Sequence, residues 1–431
     1  MANRRQYDFV LMGATGYTGK LTAEYITQNL PTNIKWAVAG RNQSKLESLI
    51  KELKSLNSSR DTPAIITTDL SAPDLASIAK NTKVILNTIG PYHLYSTPIV
   101  AAAAENGTHY LDVTGETPWV KEIIDKYQAI AKKNNAILIP EIGIESAPSD
   151  IISYLGTSLV RKVWDCGVMD FIACVHELKS SGASGGTLAT GLGLMDHYSM
   201  SALKEVINNP FILSPTEFEK NRQTRYPEPT TYERTATEKL TGVFKYPLLG
   251  TLTTSITAKP NVAVVQRSAG LTPLFYGFNF TYEEYMSVSS PLVGYLIHFV
   301  LVIVTFLLTI PPFRAIAKIM AKYKPGTGPT KDSTANNVIE FRGVAVAEQL
   351  GKPRKAMASF RYEGGMYALT ALLLAQGGMC LLEDKSVEDL RKKFHGGGFL
   401  TPSCLGDKYV ERLLDAGVKI TVKQLGDIGS K

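Results

Sequence analysis

The stretch Gly13-Ala14-Thr15-Gly16-Tyr17-Thr18-Gly19 leaves the chain few choices of local fold. It follows the apolar run Tyr7 to Met12 and leads into residues with helical spacing, Leu21, Tyr25 and Ile26. Strand, glycine-rich turn, helix is an order that brings backbone close to an anion. Glycines permit the sharp turn and the close approach. The helix start adds unpaired N–H groups and the positive end of its dipole. A dinucleotide pyrophosphate fits such a turn. The spacing is G-x-x-G-x-x-G rather than G-x-G-x-x-G, and by itself it also reads as a glycine turn with no ligand.

The second apolar run favours the ligand. It covers Ile34 to Ala39 and ends in Gly40-Arg41-Asn42, and the window 34–46 holds no Asp or Glu. At that strand end an acid binds the ribose 2′-hydroxyl of NAD, whereas an arginine suits the 2′-phosphate of NADP. Arg41, 22 residues after Gly19, with Lys45 one helical turn on, therefore predicts NADPH; the alternative is a solvated strand end. Further runs are Ala64 to Thr68, then Asp69; Lys83 to Ile89, then Gly90-Pro91-Tyr92; His109 to Val113; and Ala136 to Pro140. Helical patterns separate most of them. Such alternation predicts an α/β fold, a Rossmann-type doubly wound parallel sheet, with its ligand at the strands' carboxyl ends.

The expected cofactor residues are Gly13, Thr15, Gly16, Tyr17, Thr18, Gly19, Arg41 and Lys45, with Asp69 on the adenine side and Asn87 and Gly90 on the nicotinamide rim. Asp69 also reads as a cap of the next turn. Tyr92 is the leading candidate for a catalytic proton donor because it follows the fourth strand. Tyr110, Glu116, Ser146 and Ser149 stand behind it. No Tyr-x-x-x-Lys pair is placed for short-chain dehydrogenase chemistry.

Composition excludes several classes. The net charge is +7 over 431 residues, but no dense Lys/Arg block or nucleic-acid motif accompanies it. An anionic cofactor or a membrane surface explains it better than nucleic acid. Four cysteines and six histidines lie scattered, without the spacing of a zinc site or a disulfide framework. No metal is expected, and a reducing compartment is. The first residues run straight into the first strand, so no cleaved signal peptide is expected.

GATGYTG, WAVAGR, VILNTIGPYHLYSTPIV with HYLDVTGE, and GIESAPSD together resemble the saccharopine dehydrogenase-like oxidoreductases, the family that includes the mycobacterial trans-acting enoyl reductases. Ser181-Gly182, Ser184 to Thr187, Tyr362 to Gly365 and Gly396 to Pro402 continue the likeness over nearly the whole chain. The resemblance implies an NADP-type Rossmann domain, an inserted mixed α/β domain and, for the mycobacterial branch, reduction of a carbon–carbon double bond in a lipid or polyketide. The expected division is 1–148, 149–365 and 366–431. Glu145 stands where the family pattern has Asp, which puts any role of that carboxylate in doubt. Without a distinct arginine cluster for an amino-acid substrate with several carboxylates, saccharopine dehydrogenase activity itself is not expected.

The middle of the chain is harder to read. Strand-like runs occur at Gly167 to Glu177, Ser255 to Thr257 and Val262 to Gln266. Ser180 to Gly193 holds five glycines and reads either as a loop over the nicotinamide or substrate, or as a helix entry packed on a sheet. A helix is expected at Leu203 to Asn208, and a surface excursion over 208–235. His176 and His197 read as core or surface residues.

Tyr285 to Phe313 contains 29 residues without Asp, Glu, Lys or Arg, followed by Arg314, Lys318, Lys322 and Lys324. Its centre, Leu292 to Ile310, would span about 28 Å as a helix, near the thickness of a bilayer core. Three readings stay open: a segment embedded from one side, a spanning helix, and a core helix or oligomer interface. Family motifs on both sides favour the first, a membrane-associating segment at 286–313 on the cytosolic face of a lipid droplet or the endoplasmic reticulum. The sequence thus predicts an NADPH-dependent enoyl reductase with a lipophilic small-molecule substrate. A non-catalytic NADP-binding membrane protein or a redox-sensing partner protein are the alternatives, and a homo-oligomer is left open.

Overall fold

The computed structural model describes residues 5–215, 234–320, 323–324, 326–352 and 354–425. Most of the expected surface excursion at 208–235, and Lys322, lie outside the described residues.

Six parallel strands follow one another: β1 (Tyr7–Met12), β2 (Trp36–Gly40), β3 (Ala64–Thr67), β4 (Thr82–Asn87), β5 (His109–Asp112) and β6 (Ile137–Ile139). Their order in the sheet is β3-β2-β1-β4-β5-β6. The chain reverses direction across the sheet between β1 and β4, which opens a crevice at their carboxyl ends. All residues of β2 and β5 are buried, as expected of strands covered by helices on both faces. Those helices include α1 (Tyr17–Asn29), α2 (Gln43–Leu56), α3 (Ala72–Asn81), α4 (Tyr92–Tyr95), α5 (Thr97–Glu105) and α6 (Thr117–Lys133). α2 shows the local logic. The Asn42 side chain accepts from Lys45 N, and Leu46, Leu49 and Leu53 form its buried stripe.

α7 (Ala147–Trp164) leads into a second, mixed sheet. Its strands are β7 (Val168–Lys179), β8 (Phe244–Tyr246), β9 (Gly250–Thr253), β10 (Thr281–Val288), β11 (Val338–Ala347) and β12 (Lys355–Glu363). β7 and β10 pair in parallel, and the other pairs are antiparallel. The expected strands at Ser255 to Thr257 and Val262 to Gln266 are corrected here. The first is a turn and the second lies inside a helix, Ala258–Leu271. Nine residues of that helix are buried, and burial against α7 and β10 overrides the β preference of its valines. The glycine-rich stretch forms α8 (Gly185–His197), capped by Ser184, and α9 (Met200–Asn208) follows.

The chain then returns to both sheets. Helix Met366–Cys380 packs on α1 and across β4 and β5. Twelve of its fifteen residues are buried, so it is apolar all round. β13 (Gly398–Phe399) adds a seventh parallel strand beside β6, and β14 (Lys419–Leu425) pairs with β12 at the edge of the second sheet.

The charge-free run divides. Tyr285 to Val288 belong to β10, and Pro291–Leu308 form a helix of which only Gly294 is buried. Leu292, Leu296 and Phe306 are 78%, 65% and 64% exposed. The segment is not a core helix. Among the described residues it is the one single helix long and apolar enough to cross a membrane. A second helix, Pro311–Ile319, follows it.

Candidate cofactor and active site

The glycine turn divides its labour. Gly13 has φ +77°, and a Cβ there would lie 2.8 Å from the Ile89 side chain. A Cβ on Gly19 would lie 2.2 Å from Gly13 O. These two glycines are required by the packing of the turn on itself and on the end of β4. Gly16 is different: its φ is −74°, and the nearest atom to a Cβ would be Gly13 O at 3.3 Å. That contact is close, but it is the mildest of the three. Among the described residues no protein acceptor takes the N–H groups of Thr15, Tyr17, Thr18 or Gly19. Free donors at a helix start, beside a glycine, fit a pyrophosphate.

Arg41 and Lys45 are exposed at the end of β2 and the start of α2, within the same crevice edge as Asp69 after β3. Asp69 is exposed and accepts from Ser71 N at 2.9 Å, which lowers its pKa and makes it the cap of the turn before α3. Asn87 is fully buried. Its Nδ2 donates to Ser96 Oγ (2.8 Å) and Tyr110 OH (2.9 Å), so it supports the rim from within the sheet. Gly90 is exposed beyond β4. Tyr92 turns its hydroxyl inward, 3.4 Å from Asn87 O, and packs its ring against Trp119. Burial, with Asp112 next, pushes its pKa well up.

Four acidic residues gather behind this rim. Asp112 Oδ1 accepts from Thr114 N and Glu141 N, both at 3.0 Å, and Oδ2 accepts from Tyr110 OH at 2.8 Å. Burial nevertheless raises its pKa to about 7. Glu141 is buried, with Oε1 lacking a partner, and burial raises it well above the carboxylate range. Glu145 reaches Gly115, where a Cβ would lie 2.1 Å from Oε2; burial, then Glu116, raises its pKa. Glu116 is committed on both oxygens. Oε1 accepts from Tyr92 N (2.7 Å), and Oε2 accepts from His93 N (2.8 Å) and lies 2.6 Å from His93 Nδ1.

Ser146 and Ser149 belong elsewhere. They enter a buried network with Asn261 and Glu284 that ties α7 to the second sheet. His93 escaped the sequence reading. It directly follows Tyr92 at the end of β4, and weighing every titratable side chain at that position would have found it.

α8 and residues 323–324 and 326–330 roof the crevice. A Cβ on Gly193 would lie 3.4 Å from His93 Cε1, and one on Gly90 would lie 3.8 Å from Thr190 Oγ1. The His197 ring sits 4.8 Å from that of His93. Tyr17 OH donates to Pro329 O at 2.6 Å, and Gly328 lies on the Tyr17 ring. Tyr367 joins Tyr17 edge-on and donates to or accepts from Thr187 Oγ1 at 2.8 Å. The glycine-rich stretch is therefore both a helix packed closely on its neighbours and a cover for the strand ends. A separate cavity of about 270 Å³ at Tyr25, Asn29, Gln376 and Arg412 lies at the far end of α1 and touches none of these groups.

The saccharopine dehydrogenase NADP binding domain family matches residues 9–139, from β1 to β6. A trans-acting enoyl reductase of Mycobacterium ulcerans is 30% identical over 439 residues, covering 98% of this chain and 99% of that protein. A Mycobacterium tuberculosis protein that carries the same name provisionally is 31% identical over 435 residues, with 98% and 99% covered. The chain belongs to the saccharopine dehydrogenase-like oxidoreductases, in the trans-acting enoyl reductase branch. It is an NADP-dependent oxidoreductase, and the cofactor is NADPH. The solved apo saccharopine dehydrogenase (L-Glu forming) of Saccharomyces cerevisiae matches with a TM-score of 0.55 over 97% of this chain and all of that one. At 13% identity, that likeness is one of fold alone.

Proposed function

We propose that this family member reduces a carbon–carbon double bond conjugated to a carbonyl, in a lipid- or polyketide-like substrate, at the cytosolic face of a membrane or lipid droplet. The observation that carries this reading is the position of α8. It covers the β4 end, where the nicotinamide of a dinucleotide belongs, and its Asp196 also holds the base of the exposed apolar helix through Arg314 and Lys318. The names of the relatives support the reaction class.

In this reading NADPH supplies two electrons and a hydrogen as hydride. The free N–H groups of residues 15–19 orient the pyrophosphate, and Arg41 with Lys45 meets the 2′-phosphate. Tyr92 and the Asn87–Tyr110–Asp112 network form the inner wall. α8 and residues 326–330 exclude water, which strengthens every electrostatic interaction beneath them. The units 1–148 and 149–365 divide into cofactor binding and substrate cover, and 366–431 completes both sheets. The apolar helix, with the exposed Lys318 and Lys324 after it, holds the crevice near an anionic lipid surface.

The test is NADPH oxidation by the purified protein in the presence of fractionated lipid extracts, with mass spectrometry of the products. Compounds that gain two hydrogens support the reading. NADPH binding without oxidation across lipid extracts, enones and enoyl thioesters overturns it.

A further inference from the structure

Hydride delivery to a β-carbon leaves an enolate that must be protonated at the α-carbon, and the wall of Tyr92 offers no outward hydroxyl for this. The next side chain faces the covering helix α8. His93 leaves the end of β4 with its Nδ1 edge fixed by Glu116, at 2.6 Å. Glu116 is itself locked by two backbone N–H donors, Tyr92 N and His93 N, so the carboxylate and the ring are positioned by the same short helix start. Both side chains are almost wholly buried. The opposite, Nε2, edge faces α8, where a Cβ on Gly193 would come within 3.6 Å. Nε2 makes no hydrogen bond among the described residues, and it is not one of the fully enclosed polar atoms that lack a partner.

α8 meets the ring there through a glycine. Four of its thirteen residues are glycine, a composition that a helix interior disfavours. Gly185 is demanded by the Lys324 carbonyl, 2.2 Å from a would-be Cβ. Gly193 keeps side chains off the imidazole, and Gly191 has nothing within 4 Å. A carboxylate holding one ring nitrogen while the other faces a glycine of the covering helix is the arrangement of an oriented acid–base histidine.

We propose that His93, oriented by Glu116, is the general acid that protonates the α-carbon of the reduced substrate. The inference rests on the reductase reading above. As hydride forms the new C–H bond at the β-carbon, the π pair moves onto the α-carbon and carbonyl oxygen. The His93 Nε2–H bond then breaks, its proton forms the C–H bond at the α-carbon, and the electron pair stays on Nε2. Water reprotonates the neutral imidazole, and no oxidant beyond the substrate is needed. The titratable groups facing the ring are Glu116, His197, Tyr198 and Tyr92, with Glu122 beside Tyr198.

The experiment measures NADPH oxidation with short- to long-chain enoyl thioesters, as a function of pH, for the native protein, His93→Gln, His93→Ala with and without added imidazole, and Glu116→Gln. NADPH affinity is followed in parallel by fluorescence titration. The expected result is a loss of kcat of roughly 10²–10⁴ in His93→Gln at native NADPH affinity, with loss of the high-pH limb. Imidazole should partly restore His93→Ala. Glu116→Gln, which loses the carboxylate that orients the ring, should lower kcat at native NADPH affinity. Native kcat and pH profile in His93→Gln overturn the role of His93 and leave the reductase reading intact. So does a loss of rate with an unchanged pH limb and no rescue by imidazole, which marks a packing role. No oxidation by the native protein with any thioester overturns the reading and this role with it.

Discussion

Arg314 Nε lies 2.9 Å from Asp196 Oδ1, and Nη1 of the same guanidinium donates to the carbonyls of Leu308 and Thr309. One side chain thus caps the last turn of the apolar helix, where a cation also meets the negative end of the dipole, and anchors it to α8. Lys318 reaches the other oxygen of Asp196. Arg314 is 9% exposed, so its truncation leaves two carbonyls without a donor. Arg314→Ala should lower stability by about 1–3 kcal/mol. A fall of several degrees in the thermal midpoint at unchanged NADPH affinity is the expected outcome, and an unchanged midpoint would show that the clamp contributes nothing.

The exposed face of Pro291–Leu308 gives a second expectation. Apolar burial contributes about 25 cal/mol per Å², and each nearby basic residue adds about 1 kcal/mol at an anionic surface. The native protein should sediment with anionic vesicles and stay bound in high salt, which screens only the second contribution. Replacing Leu296, Phe299, Ile303 and Phe306 together with Ser should release it. Binding that salt alone abolishes would make the attachment purely electrostatic. Protection of one terminal tag from protease in sealed microsomes would make the segment a spanning helix.

Arg41 and Lys45 should select the phosphorylated cofactor. NADPH should bind more tightly than NADH, and Arg41→Asp should weaken NADPH far more than NADH in fluorescence titrations. Equal affinities in the native protein would remove the basis for this selection.

The two kinds of glycine in the turn should respond differently. Gly16→Val should abolish NADPH binding with little change in far-UV circular dichroism, because the fold brings only one close contact to Gly16 and a bound pyrophosphate would bring more. Gly19→Ala should destabilise the fold itself, because its Cβ would press on the Gly13 carbonyl. Native NADPH affinity in Gly16→Val would mean that the turn holds no phosphate.

Asp112 carries a pH signature. Its folded pKa, about 7, lies above the unfolded value near 3.9. The native state therefore binds more protons in this window, and the stability Asp112 contributes at low pH is lost as pH rises from about 4 to 7. Buried His109, with its pKa lowered to about 3, acts in the opposite direction, so the comparison must be between variants. Asp112→Asn should be most destabilised relative to the native protein near pH 4–5, and the gap in thermal midpoint should narrow by pH 7.5. A gap that does not change with pH would contradict the raised pKa.

Much of the first sheet was legible because each strand is a short apolar run closed by a turn and followed by a helical stripe. Val262 to Gln266 misled because β-branched residues in a buried helix look like a strand until their neighbours are known. The shape of the glycine turn could be read from spacing, but which glycines the fold demands could not: that depends on Gly13 O and Ile89 in space. His93 was overlooked for a similar reason. Its partner Glu116 is 23 residues away, and the roof above it comes from α8, a hundred residues on.

The late arrival of β13 bears on how the chain is made. About 260 residues separate β6 from β13, and helix Met366–Cys380, which covers β4 and β5, lies in the same distal stretch. At roughly 5–20 residues per second on a ribosome, the nucleotide-binding half would wait on the order of ten to fifty seconds with one face uncovered and one edge unpaired. That edge is only Ile137–Ile139, which limits mispairing, but the bare face above β4 and β5 is apolar. Nascent chains stalled before residue 366 should therefore be held by chaperones and unable to retain NADPH.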